Sequence, residues 1–70
     1  AMIDIVPRQR DWSMTRAETV NLGRMWVRYW RAGALCRSTM LKQLRVMGFR
    51  HAMPCAGYVR ASLDGERFEL

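Results

Sequence analysis

The residues of this chain best placed to do chemistry are cations without counter-charges. Residues 19–63 contain Arg24, Arg28, Arg31, Arg37, Lys42, Arg45, Arg50 and Arg60 and no carboxylate; Asp4, Asp11, Glu18, Asp64, Glu66 and Glu69 all lie outside. A block of one sign generates a local positive field. The chemistry open to it is non-covalent recognition of an anion, above all a polyanion such as nucleic acid. Apart from Lys42, the 12 Lys and Arg residues are all arginine. A planar guanidinium binds phosphate, carboxylate or a guanine edge with two hydrogen bonds at once. Codon bias toward arginine and a merely solvated basic face are the bland readings of the same pattern.

Bond-making chemistry has little to work with. His51 is the one histidine, and no serine, cysteine or carboxylate stands at a spacing that makes a triad or an acid–base pair. With Cys36 and Cys55 it offers at most three ligands, short of a closed zinc site. Neither a glycine-rich phosphate loop nor a divalent-metal cluster occurs. The sequence therefore predicts no catalytic residue, no metal, no cofactor and no enzymatic activity. Two cysteines make no disulfide framework, so free, partly buried thiols in a reducing cytosol are expected. No apolar run approaches a membrane span and no secretory signal is present. Ala1 ahead of Met2 reads as a cloning remnant, so the expectation is a complete small cytoplasmic protein.

The elements that must position these cations fit one domain. A chain of 70 residues with net charge +6 lies near the lower limit for a self-sustaining core. Half of it is apolar, with three Trp, two Phe and two Tyr, too hydrophobic for a disordered basic tail. A homodimer would be one way to add buried area. The expected class is α+β, a small single domain of order β-α-α-β-β in which a helical hairpin packs on a C-terminal β-hairpin. Residues 1–12 supply a strand (around Ile3 and Ile5, stopped by Pro7) and a connector. Residues 15–48 supply two helices, and residues 58–70 the hairpin.

Thr15-Arg-Ala-Glu18 has capping-box spacing and opens the first helix, with Gly33 as its stop. At 100° per residue Leu22, Met25, Trp26, Tyr29 and Trp30 gather on one face, read as core, while Arg24, Arg28 and Arg31 form the opposite stripe. Gly23 is a weak point between them. The second helix is expected to start at an N-cap Ser38 and to end before Gly48. Met40, Leu41, Leu44 and Met47 face inward; Thr39, Lys42, Gln43 and Val46 face outward, with Arg45 on the flank. Trp12 would staple the connector onto the first helix, and Met14 and Met53 would be exposed. Asp64-Gly65 is a preferred two-residue type I′ turn. Its register sets Ala61 opposite Phe68 and Val59 opposite Leu70 on an apolar face, Arg60 opposite Glu69 and Ser62 opposite Arg67 on a charged one. The first strand would join this hairpin as a third.

The run Cys36-Arg37-Ser38-Thr39-Met40-Leu41-Lys42-Gln43-Leu44-Arg45-Val46-Met47-Gly48-Phe49 resembles the recognition-helix segment of bacterial and phage winged helix-turn-helix DNA-binding regulators. In that family a polar turn precedes a Ser-Thr-hydrophobic start, the helix ends in Leu-Gly-Phe or similar, and a tight hairpin follows as the wing. The resemblance covers about half the chain. It implies that Thr39, Lys42, Gln43 and Val46 face base edges in the major groove, with Arg37, Arg45 and Arg50 on phosphates and Ser38, at the helix start, also DNA-binding. Arg60, with Arg67, would act from the wing. Where the family has a separate first helix and a small residue at the helix crossing, this chain has one long helix and Trp30.

The expected function is that of a small transcriptional regulator, prokaryotic or phage-encoded, that binds duplex DNA. The alternative is a small basic protein-binding modulator, such as a phage inhibitor of a host enzyme, docking an acidic surface through Arg24, Arg28 and Arg31. A third reading is an RNA-binding sheet, for which Tyr58 and Phe68 are the stacking candidates, Phe68 facing the core.

Overall fold

In a computed structural model the helix Arg16–Arg31 (α1) begins where the sequence says it must. Residues 9–70 are described, so the strand expected at residues 2–6 lies outside them. Thr15 Oγ1 accepts from the Glu18 N–H at 3.1 Å, and Glu18 Oε1 accepts from the Thr15 N–H at 2.9 Å. Two N–H groups that a helix start leaves unbonded are thus satisfied reciprocally. At the other end Gly33 N–H donates to Trp30 O and Ala34 N–H to Tyr29 O, the paired bonds of a Schellman close.

The buried face of α1 is Thr19, Val20, Leu22, Gly23, Trp26 and Val27. This is a rotation of the expected stripe. Met25 is 38% exposed, and Tyr29 and Trp30 are only half-buried. The reason lies at Gly23. A Cβ there would sit 2.8 Å from Cε2 of Phe49 and 3.5 Å from a Leu44 methyl. The small residue that lets α1 approach its partner is therefore Gly23, not position 30. The missing side chain admits the Phe49 ring, and the flanking residues 19, 20, 26 and 27 turn inward with it. Buried Thr19 bonds its hydroxyl to Thr15 O at 2.9 Å, which offsets the cost of taking it from water.

The second helix, α2, runs Arg37–Val46. Its N-cap is Cys36, not Ser38, which falls inside the first turn. Met40, Leu44 and the C-cap Met47 are buried, and Leu41 is half-buried. Gly48 (φ +103°) closes it: Gly48 N–H donates to Arg45 O and Phe49 N–H to Leu44 O.

Three strands follow, β1 (Arg50–Cys55), β2 (Tyr58–Leu63) and β3 (Glu66–Glu69), as an antiparallel sheet of order β1-β2-β3. The β2–β3 register pairs Arg60 with Glu69, Ala61 with Phe68 and Ser62 with Arg67, as Asp64-Gly65 dictates; both turn residues have positive φ. Val59 and Leu70 exchange backbone hydrogen bonds. β1 is the strand the sequence pattern did not announce. Arg-His-Ala-Met-Pro-Cys lacks clean alternation, and Pro54 is tolerated because β1 is an edge. Between Arg50 and Met53 the register against β2 slips, a β-bulge, and His51 sits there at φ 56°. The fold is α+β, with both helices against one face of the sheet and Trp26, Phe49, Met40, Leu44, Met47, Leu63, Val27 and Val59 between the layers.

The connector is held by Arg10 rather than by Trp12. Trp12 is 76% exposed, with the Arg10 guanidinium carbon 4.3 Å from its ring centre. Arg10 Nη1 donates to the C-cap carbonyl of Met47, where a cation also opposes the negative end of the α2 dipole. Gln9 Nε2 donates to Gln43 Oε1 at 2.7 Å.

Candidate nucleic-acid interface

The basic residues fall into separate groups once the elements are placed. On α2, Arg37, Ser38, Thr39, Lys42, Arg45 and Val46 are exposed. Thr39, Lys42 and Arg45 or Val46 recur every three to four residues and share one face. Gln43, expected beside them, is half-buried and already bonded to Gln9. The start of α2 carries no acid and no side-chain cap to its backbone N–H groups. A helix start without an acid keeps its positive dipole end uncompensated, which suits phosphate.

Cys36 stands at that start and is exposed, against the expectation of partial burial. Its sulfur lies 3.3 Å from Ser38 Oγ and 3.2 Å from Thr39 Oγ1. Hydrogen bonds from Ser38 and then Thr39 stabilise the thiolate and lower the thiol pKa from 9.0 to about 7.

Beside α2, a groove of about 540 Å³ opens between the helix and β1, lined by Leu41, Arg45, Phe49, Arg50, His51 and Ala52. Its floor is apolar and its rim cationic. The bulge produces this arrangement, because the extra residue turns His51 out at the strand edge. In the sequence His51 is only the one histidine, without a catalytic or metal-binding partner at a telling spacing. Its only signal would have been a histidine in a left-handed bulge, which no spacing reveals.

Arg60 lies elsewhere. Val59 and Ala61 are buried against the helices, so Arg60 between them points from the opposite, open face of the sheet. Its Nη2 donates to Tyr58 Oη at 3.4 Å. The expected wing contact and the expected recognition-helix contacts thus occupy different sides of the sheet.

On α1, Arg24 reaches Glu69 O at 3.3–3.4 Å, a long contact, and Arg16 pairs with Glu66 at 2.9 Å with both side chains about half exposed. An ion pair so exposed is worth about 1 kcal/mol at most. These contacts tie α1 to β3 and engage one member of the Arg24, Arg28, Arg31 stripe inside the fold. Among the described residues, Arg37, Lys42, Arg45, Arg50 and Arg60 make no ion pair. Within the same residues no group of three or more His, Cys, Asp or Glu could hold a metal, and no helix is long and apolar enough to cross a membrane.

Compared with protein-family models, with curated proteins and with solved structures, the chain matches none. The functional reading rests on the chain's own residues.

Proposed function

We propose that this protein is a small duplex-DNA-binding regulator that docks through the exposed face of α2. The observation that carries the reading is the set Arg37, Lys42, Arg45 and Arg50. These cations make no ion pair among the described residues; Arg37 stands at the start of α2, Lys42 on its exposed face, Arg45 in its last turn and Arg50 at the start of β1. Arg37, at the start of α2, suits one phosphate, and Arg45 and Arg50 suit two others beside the groove. Thr39 and Lys42, lying between, face the base edges. Phosphate contacts of this kind set the orientation of a helix on DNA, and the two side chains between them supply what sequence preference there is. Regulation would follow from occupancy, with no bond made or broken.

The test is fluorescence anisotropy with a labelled random duplex at low and then physiological salt. Non-specific binding is expected in the range of about 1–100 µM, and three phosphate contacts give a log–log salt slope of roughly −3. Arg37→Ala should reduce that slope by about 1. A flat titration at low salt, despite the charge of +6, overturns the reading.

A further inference from the structure

We infer that the edge strand β1 is the ridge of a track for single-stranded nucleic acid, running from the groove beneath α2, over His51, onto the open face of the sheet. This goes beyond the duplex reading, since it uses a second surface and a different state of the polymer.

Two concavities flank β1. One is the α2–β1 groove. The other, of about 220 Å³, lies on the open sheet face and is lined by His51, Met53, Arg60, Ala61, Ser62 and Arg67. His51 borders both, so the two form one path across the bulge. Cations mark it along its length: Arg45 and Arg50 on the helix side, Arg60 and Arg67 on the sheet side. None of the four makes an ion pair among the described residues. Glu69 is the one carboxylate in register with this face, opposite Arg60.

The shape decides which polyanion fits. Strands lie about 4.8 Å apart, so the path from β1 to Arg67 on β3 spans only about 10 Å of sheet. Before that it turns around the sheet edge from one side to the other. Duplex DNA has a persistence length of about 50 nm and does not follow such a corner. A single strand turns at every phosphate and does. Surfaces for its bases are present on the open side. Met53 is 60% exposed, and the half-buried Tyr58 ring lies on the same face, its hydroxyl held by Arg60. The Tyr58 ring can stack on any base, and Met53 adds an apolar contact beside it. The bulge supports the reading independently. A histidine at φ 56° occupies a region that side chains enter at a cost, and such positions cluster where a side chain must be aimed.

The experiment compares a labelled oligothymidylate of about 12 nucleotides with a blunt duplex of equal length, for wild type and two double variants checked for fold by circular dichroism. The wild type should bind the oligothymidylate with a salt slope of roughly −3, as four single-strand phosphate contacts require. R60A/R67A should weaken oligothymidylate binding about tenfold or more and leave duplex binding within about twofold, and R37A/K42A should do the reverse. No binding of oligothymidylate at low salt overturns the track, whatever the duplex does. So does equal weakening by both double variants, which would mean diffuse charge. Oligothymidylate binding that depends on Arg60 and Arg67, with no duplex binding at all, supports the track and removes the duplex reading.

Discussion

Cys36 is the residue whose chemistry departs most from its type. Its sulfur sits at the start of α2 with two hydroxyls and two backbone N–H groups turned toward it, and its pKa falls to about 7. Thiolate is the reactive form, so the rate of alkylation follows its fraction. Alkylation of Cys36 by iodoacetamide, followed by mass spectrometry, should therefore reach half its maximal rate near pH 7, not near the ordinary 9.0. Replacing the first-named donor, in Ser38→Ala, should move that midpoint upward. A midpoint that stays at the ordinary thiol value in the wild type would show that the hydroxyls do not hold the sulfur. The same depression carries a sign for stability. A folded-state pKa below the unfolded one means that ionisation favours the fold; the contribution is complete above the ordinary thiol range and is lost as pH falls through about 7. His51 makes the opposite point about legibility. Its identity is plain in the sequence, yet its place on the ridge depends on one extra residue in β1, which no residue type encodes.

At the scale of elements, the two helices end with the same motif, but the two closing glycines do different work. A Cβ on Gly33 meets nothing within 4 Å, whereas a Cβ on Gly48 would come 2.9 Å from Nη1 of Arg10. Gly33→Ala should cost only the left-handed backbone penalty, about 1 kcal/mol. Gly48→Ala should cost roughly 2 kcal/mol or more, since it adds displacement of Arg10 from the Met47 carbonyl. Thermal unfolding of the two variants measures the difference, expected as a Tm lower by about 4–8 °C for each kcal/mol in a domain of this size. Equal shifts would mean that Arg10 contributes nothing to closing α2. Local signals explain why α1, the end of α2 and the β2–β3 register were legible: a capping box, a glycine after the last apolar residue, and Asp64-Gly65 all act within a few residues. The α2 start was misplaced because Ser38 is the better capping type, while the backbone turns at Cys36. Arg10 and β1 were not legible for a different reason. One bonds a carbonyl 37 positions away, and the other is a strand only because β2 lies beside it. The candidate site inherits this split. The exposed face of α2 follows from helical periodicity, whereas the separation of Arg60 from it follows from which face of the sheet the helices cover.

For the molecule as a whole, the position of Arg45 and Arg50 matters most, because they belong to both proposed surfaces. The α2 face and the β1 track meet at the groove, so a duplex seated on α2 directs a protruding strand toward His51 and the open sheet. A duplex with a single-stranded tail can engage both surfaces at once, and the second contact becomes intramolecular. Linked contacts commonly raise affinity by a factor of about 10² to 10⁴. The shared arginines cannot serve both partners fully, so the gain here should sit below that range, at about tenfold over a blunt duplex at equal salt. The measurement is a competition titration in which tailed duplex, blunt duplex and oligothymidylate each displace the same labelled probe. The tail should also steepen the salt dependence, because Arg60 and Arg67 then release counterions that the blunt duplex leaves untouched. If the tailed duplex competes no better than the blunt one while both separate ligands bind, then Arg45 and Arg50 are a switch between two exclusive modes. If it competes better and R60A/R67A abolishes the gain, the two faces act as one surface, joined at the groove where the bulge turns His51 outward.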